Sequence, residues 1–182
     1  MAKERKIDMV ILGLLSHANL TGYDIKKQID ASISFFWKGS FGSIYPALAA
    51  LEESGLVKKV QSNGNESGRE RILYGITETG HTYLKEWLME AKTVNDMKYE
   101  MLLKLFFGGA VENTASLATV EEFERSISRD LAVLKVYKDN LEKNLDEKDH
   151  IFFYLTVSFG VETYEAYLRW CDNAKHVLKG VI

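Results

Sequence analysis

The chain has 182 residues, of which 46% are hydrophobic and 27% charged, a composition typical of a globular protein with room for one domain or two small ones. No apolar stretch approaches the roughly 20 residues of a membrane-spanning helix, and no signal-type core follows the charged residues 1–6. The single cysteine, Cys171, excludes an internal disulfide. These features together predict a cytoplasmic protein.

The net charge of −3 is distributed unevenly. Residues 1–92 carry twelve basic and eleven acidic side chains, whereas residues 93–182 carry eleven basic and fifteen acidic ones. Nucleic-acid-binding domains usually have an excess of Lys and Arg, so the overall charge argues mildly against that class. Because the acidic excess lies wholly in the second half, a modest, salt-sensitive nucleic-acid surface remains compatible with the first half.

Two helices are predicted at the start of the chain. Apolar residues three and four apart predict the first over about residues 7–17. Thr21, with Asp24 three residues on, resembles a capping box and predicts the start of the second helix.

A third, short helix is predicted around Pro46, the only proline. Its apolar residues fall three and four apart, as on one helix face: Ile44, Leu48 and Leu51. The proline is expected near the helix start, where the first N–H groups have no intrahelical partner. Gly55 followed by Leu56 predicts a left-handed stop with its hydrophobic contact.

The start of this third helix carries neutral hydrogen-bonding side chains. Either Ser40 or Ser43 is expected to cap it, and Ser43 and Tyr45 lie on its outward face. This pattern is typical of a helix whose N-terminal end enters the major groove of DNA.

A β-hairpin is predicted directly after the third helix. Residues 57–61 and 69–76 have extended character and flank a tip rich in turn formers, including Asn63-Gly64. Arg69 and Arg71 lie at the base of this hairpin. A short helix followed at once by such a hairpin is the order of a winged helix-turn-helix, and Thr77 is expected to cap the helix that follows.

Three stretches together resemble the PadR family of bacterial transcriptional regulators. They are Leu20-Thr-Gly-Tyr-Asp-Ile25, residues 42–56 from Gly42-Ser-Ile-Tyr-Pro46 to Ser54-Gly-Leu56, and Gly68-Arg-Glu-Arg-Ile-Leu-Tyr-Gly-Ile-Thr-Glu-Thr-Gly80. The resemblance implies a mainly α fold with a small β-hairpin. It places a winged helix-turn-helix DNA-binding domain at residues 1–92. A helical dimerisation domain at 93–182, which could also sense an effector, is expected of the larger subgroup of the family.

The resemblance also implies which residues contact DNA. The third helix, for which the resemblance favours Ser40 as the cap, would read the major groove. The second helix would lie along the backbone, and the hairpin arginines would reach phosphate or the minor groove. The expected DNA-binding residues are Tyr23, Lys26, Ser40, Gly42, Ser43, Tyr45, Pro46, Arg69 and Arg71.

The second half is predicted to be helical throughout. A short apolar helix is expected over about residues 97–107, and then a long amphipathic helix capped by Thr119. The apolar stripe of that helix is Phe123, Ile127, Leu131, Leu134, Leu141 and Leu145. Asp149 begins a last helix, over about residues 151–178.

The first part of the last helix is apolar nearly all round, which predicts burial. In so small a domain a second copy of the chain is the expected cover. The expected dimerisation residues are Leu102, Leu105, Phe106, Phe152, Leu155 and Phe159.

Catalytic and cofactor sites find little support. Asp172 and His176 have the spacing of a metal pair on a helix, but no third ligand is evident. Cys171 has no evident base to activate it and is expected to be a buried, inert thiol. We therefore expect no enzyme activity, no cofactor and no metal.

The sequence as a whole predicts a homodimeric transcriptional regulator that binds an inverted repeat in double-stranded promoter or operator DNA. The resemblance implies repression and, from the best-known branch of the family, release by a small aromatic effector. One alternative stays open: a winged-helix module that binds a protein or a ligand and not DNA, which the acidic net charge favours.

Overall fold

The chain divides into two compact units, Met1–Val94 and Asn95–Ile182. The computed structural model describes residues 6–37, 41–60, 72–93, 95 and 98–180. Within those residues the protein is mainly helical, with one two-stranded antiparallel sheet in the first unit, which confirms the expected fold class. None of the helices described there has the length and apolar character needed to span a bilayer.

The first unit begins with α1 (Lys6–Leu15) and α2 (Gly22–Gln28). Thr21 caps α2: its Oγ1 accepts a hydrogen bond from the Asp24 N–H at 3.1 Å, and the Asp24 carboxylate accepts one from the Thr21 N–H at 3.1 Å. The predicted capping box is therefore confirmed. A π-helical turn, Ile29–Ile33, continues α2.

The third helix, α3 (Phe41–Glu53), ends as predicted. Gly55 has a φ of +69°, a conformation that glycine adopts without steric cost. Its N–H donates to the Glu52 carbonyl at 3.0 Å, and the Leu56 N–H donates to the Leu51 carbonyl at 2.9 Å. These two bonds form a Schellman motif, which fixes where the helix stops.

The start of α3 differs from the prediction. Ser43 is the third residue of the helix and does not cap it, and Ser40 lies outside the described residues. Pro46 is the sixth residue, where its ring removes an N–H that would otherwise bond the Gly42 carbonyl. The cap prediction is therefore wrong for Ser43 and untested for Ser40, and Pro46 lies deeper in the helix than predicted.

The predicted hairpin is confirmed in β1 (Val57–Val60) and β2 (Leu73–Ile76). The strands are antiparallel, with the first residue of β1 opposite the last of β2. The tip, residues 61–71, lies outside the described residues. Leu20 and Tyr74 exchange backbone hydrogen bonds at 2.9 and 3.0 Å, so β2 is also joined to the segment before α2.

The first unit closes with α4 (Glu78–Met89), capped as predicted by Thr77. The hydroxyl of Thr77 accepts from the Gly80 N–H at 3.0 Å and donates to the Gly55 carbonyl at 2.8 Å. The core below these elements consists of Met9, Ile11, Leu12, Leu15, Leu20, Ile25, Ile29, Ile44, Ala47, Leu48, Leu51, Val57, Tyr74 and Leu84.

The second unit begins with α5 (Glu100–Phe106), a 3-10 turn (Gly108–Ala110) and the 30-residue α6 (Asn113–Glu142). The predicted cap at Thr119 is wrong, because α6 starts six residues before it. The Thr119 hydroxyl donates to the Ala115 carbonyl at 3.0 Å, inside the helix. Alanine and leucine in this first stretch extend the helix by their propensity, which outweighs the signal of a capping residue.

Helices α6 and α7 (His150–Gly180) form the body of the second unit. Lys175 on α7 donates to both carboxylate oxygens of Glu124 on α6 at 2.7 Å. Leu145, predicted in the stripe of the long helix, lies beyond the end of α6 and is exposed. The buried apolar residues of this unit are Val120, Ile127, Leu131, Leu134, Val157, Val161 and Cys171.

Candidate nucleic-acid interface

The outward face of α3 is small and uncharged over its first two turns. Ile44, Ala47 and Leu48 are fully buried, which fixes the opposite side of the helix toward solvent. The exposed residues of this stretch, spaced three and four apart, are Gly42, Tyr45, Pro46 and Ala49. We call these four residues the α3 outer face. Gly42, Pro46 and Ala49 are small, which lets the part of the helix beside Tyr45 approach another surface closely.

Of the sequence-predicted residues on α3, three lie on this face and one does not. Gly42, Tyr45 and Pro46 are exposed, and the tyrosine side chain is 54% exposed. Ser43 is half-buried. Ala49 was not predicted, although its spacing of four from Tyr45 and seven from Gly42 marks it as a member of the same face.

Tyr45 packs directly against the first residue of α2. A Cβ built on Gly22 would lie 2.7 Å from Cε1, 2.9 Å from Cζ and 3.2 Å from the hydroxyl oxygen of Tyr45. The neighbouring Tyr23 is 64% exposed. Two tyrosines therefore flank the place where α2 begins beside α3.

An ion pair connects α2 with the π-helical turn that continues it. Lys26 bonds the carboxylate of Asp30 one turn further on. The Lys26 side chain is 14% exposed and that of Asp30 is 56% exposed, so the acid and not the base faces solvent. Tyr23, Lys26 and Asp30 line a shallow groove with Lys27 and Ala31. Asp30 was not predicted as part of this surface.

The hairpin contributes further cations in its described part. Lys58 is exposed, and Lys59 forms a 2.9 Å ion pair with Glu52 of α3. The hydrogen bond and the charge of Glu52 raise the pKa of Lys59 above its usual value. The predicted wing residues Arg69 and Arg71 lie outside the described residues, as does Ser40.

The second unit exposes a band of large apolar side chains. Phe152, Leu155 and Phe159, which fall three and four apart on α7, are 65%, 59% and 69% exposed. On α5, Phe106 is 81% exposed, Leu102 is exposed and Leu105 is half-buried. Four more exposed apolar residues on or next to these helices were not predicted: Leu103, Phe107, Ile151 and Phe153. Large exposed apolar side chains concentrated on two helices are typical of a surface that another molecule covers.

A cluster of aromatic side chains joins the three helices of the second unit. The hydroxyls of Tyr99 and Tyr167 share a hydrogen bond, and the Tyr167 ring contacts those of Tyr164 and Phe123. Burial, and then the hydrogen bond to Tyr99, raise the pKa of Tyr167 to about 12. Burial also raises the pKa of Tyr164, with the charge of Asp130 a second cause.

Two residues of the second unit that could in principle serve in catalysis are buried or ion-paired. Cys171 is fully buried, as predicted, and burial is the main cause that raises the pKa of its thiol. Asp172 forms a 3.1 Å ion pair with Lys175. In the described part of the chain, no group of three His, Cys, Asp or Glu side chains is arranged to hold a metal.

Two family models match the chain, one in each unit. Residues 11–86 match the transcriptional regulator PadR-like family. This match assigns the first unit of the chain to the PadR-like family of transcriptional regulators. Residues 97–179 match the model described as virulence activator alpha C-term. The predicted membership is thus confirmed, and the family is one of regulators and not of enzymes.

Known proteins resemble this PadR-like chain over nearly its whole length. It is 24% identical over 177 residues to the negative transcriptional regulator PadR of Bacillus subtilis strain 168, which covers 93% of this chain and 95% of that protein. Its fold is similar to that of Bacillus subtilis PadR in complex with operator DNA, with a TM-score of 0.80, 23% identity and coverage of 96% and 99% of the two chains. The same protein in complex with p-coumaric acid gives a TM-score of 0.75, 22% identity and the same coverage. At these identities the structural likeness establishes the fold.

Proposed function

We propose that this PadR-like protein is a cytoplasmic, sequence-specific DNA-binding repressor that acts as a homodimer. The observation that carries the proposal is the α3 outer face: a short, uncharged and exposed surface on the third helix of a winged helix-turn-helix. Its small residues allow the helix to approach base edges closely in the major groove.

In the proposed complex each element of the first unit has its own task. The α3 outer face enters the major groove, with Ser40 and Ser43 beside the helix start. Tyr23 and Lys26 lie along the phosphate backbone, where the first helix of such a pair crosses it. Arg69 and Arg71 on the wing bind phosphate or enter the minor groove.

The exposed apolar band of α5 and α7 supports dimerisation. Covering this band with a second copy would remove several large side chains from water. Each Å² of apolar surface buried in this way stabilises the dimer by about 25 cal/mol. A twofold axis would then relate two winged helices. Their operator would be an inverted repeat whose half-sites lie about 10 base pairs apart or a multiple of that distance.

Repression would follow from occupation of the promoter, and release from a small aromatic effector. The relative from Bacillus subtilis is a negative regulator, and its structures with operator DNA and with p-coumaric acid support both halves of this proposal. A change in the angle or spacing of the two winged helices would misplace one α3 against its half-site. An effector that binds the dimer and leaves its DNA affinity unchanged would contradict this switch.

The proposal is tested by selection of bound duplexes from a random double-stranded DNA library with the purified full-length protein. We expect enrichment of one inverted repeat. A library that stays random after repeated rounds, at low salt as well as high, would contradict the proposal. That result would favour the alternative function, a winged-helix module that binds a protein and not DNA. The net charge of −3 supports this alternative.

The wing is tested on the selected duplex. The double variant Arg69→Ala with Arg71→Ala should bind DNA more weakly. The slope of log affinity against log salt concentration should become shallower by about one unit or more, because fewer phosphate contacts mean that fewer counterions are released on binding. Lys85→Ala on α4 is the control for the loss of a cation. An unchanged salt slope would remove the wing from the DNA surface.

A further inference from the structure

The close contact between Gly22 and Tyr45 joins the two helices of the helix-turn-helix at one point. Gly22 is the first residue of α2 and is buried, whereas Tyr45 lies on α3 and is half exposed. The three heavy atoms nearest to a Cβ at Gly22 all belong to the hydroxyl-bearing edge of the Tyr45 ring, at 2.7, 2.9 and 3.2 Å. Any side chain at Gly22 would occupy the place that this edge takes.

Tyr45 is the group on the α3 outer face that this contact controls. The other three members of the face are Gly42, Pro46 and Ala49, whose side chains cannot donate or accept a hydrogen bond. The Tyr45 hydroxyl is therefore the one polar side-chain group that the face presents. Its position decides which base edge or phosphate oxygen the face can bond.

We propose that Gly22 is a positioning residue for DNA recognition: the missing side chain at the start of α2 provides the seat that holds the Tyr45 hydroxyl in place on the α3 outer face. The inference rests on the proposed DNA binding and adds to it a determinant of specificity outside the recognition helix. Gly22 does not itself contact DNA in this account.

The contact predicts which atoms move when a side chain is introduced at Gly22. The atoms that meet the new Cβ are at the far end of a half-exposed side chain, which can turn to another staggered rotamer at little cost. Alanine is also favoured over glycine within a helix. Gly22→Ala should therefore keep the fold and displace the Tyr45 hydroxyl.

The test compares four proteins on the duplex selected by the wild type: wild type, Gly22→Ala, Tyr45→Ala and the double variant. We expect Gly22→Ala to bind about tenfold more weakly, because a misplaced hydrogen-bonding group loses one base or phosphate contact. Tyr45→Ala should lose a similar factor. The double variant should bind no more weakly than Tyr45→Ala, since without the ring the seat has no occupant.

Two further measurements separate positioning from a general structural effect. The salt slope of Gly22→Ala should equal that of the wild type, because no cation is removed. Gly13→Ala on α1 is the matched control, because a Cβ there meets nothing within 4 Å. It should bind as the wild type does.

Each contrary outcome overturns the inference in a recognisable way. Wild-type affinity of Gly22→Ala would show that the seat does not matter for binding. Losses that simply multiply in the double variant would show that Gly22 acts independently of Tyr45. A fall of more than about 5 °C in the Tm of Gly22→Ala would show that the backbone takes up the contact and that Gly22 is structural. Failure of the wild type to select any duplex would instead contradict the proposed function.

Discussion

Asp30 is an acidic residue on the candidate interface, where we expect its charge to weaken DNA binding. Its carboxylate pairs with Lys26, the predicted backbone contact on α2, and is the more exposed partner of the two. A phosphate approaching this side of α2 meets the acid as well as the base. We therefore expect the ion pair to weaken the attraction of this surface for DNA, in line with the modest, salt-sensitive binding that the charge distribution predicts.

Asp30→Asn should strengthen binding to any duplex by about two- to threefold at low salt, because an exposed charge acts on a nearby phosphate with a fraction of a kcal/mol to about 1 kcal/mol. Glu90→Gln, at the far end of α4, is the control, because it changes the net charge by the same amount at an exposed position. Fluorescence anisotropy with a labelled duplex measures both. Equal gains by the two variants would show that Asp30 acts only through net charge.

The raised pKa of Tyr167 predicts that the stability of the second unit depends on pH. Its pKa is raised from near 10 in an unfolded chain to about 12 in the folded protein, so ionisation of this phenol opposes folding. The contribution is complete below pH 10 and is lost as the pH rises toward 12. Urea midpoints at pH 8, 10 and 11 should fall less steeply for Tyr167→Phe than for the wild type.

The control for this titration is Tyr137→Phe, which removes an exposed tyrosine from α6. It should keep the steep fall of the wild type. A Tyr167→Phe variant with the same pH dependence as the wild type would contradict the role assigned to the Tyr99–Tyr167 hydrogen bond.

At the scale of elements, a small junction connects the end of α3 with the start of α4. Gly55 ends α3, and the Thr77 hydroxyl bonds its carbonyl while capping α4. Gly80 lies in the same junction: a Cβ there would come within 2.2 Å of the Leu56 carbonyl oxygen, which is backbone and cannot turn away. This close approach requires glycine.

Gly80→Ala should lower the free energy of unfolding by about 2 kcal/mol, because the clash outweighs the gain in helix propensity. Gly13→Ala, in open space on α1, should instead raise it by about 0.5 kcal/mol. Urea denaturation measures both changes. A neutral or stabilising Gly80→Ala would show that α4 can move away from the end of α3 without cost.

Which helix ends could be predicted depended on the range of the interactions that fix them. The Thr21 box, the Gly55 stop and the Thr77 cap each involve groups within a few residues, and local rules found all three. The start of α6 was missed at Thr119, and local rules did not place Pro46 as deep as the sixth residue of α3, where the neighbouring Ile44 is buried in the core. The contact of Gly22 with Tyr45 joins residues 23 positions apart and has no sequence signature.

At the scale of the whole molecule, the account depends on the exposed band of the second unit as the interface between two chains. Phe152→Asp and Leu155→Asp should each yield monomers, since a charge there would be buried without a partner. Val177→Asp, at the other exposed end of α7, should leave the dimer intact. Sedimentation velocity measures the three, and a normal soluble dimer of Phe152→Asp would place the interface elsewhere.

The central claim is that two copies of the winged helix read one inverted repeat. It is tested most directly by anisotropy titration of the wild type against the selected duplex, the same duplex with one half-site scrambled, and a fully scrambled duplex, near physiological salt. The account predicts tight binding to the intact repeat that survives scrambled competitor, and at least a tenfold loss when one half-site is destroyed. Equal affinity for all three duplexes would contradict it.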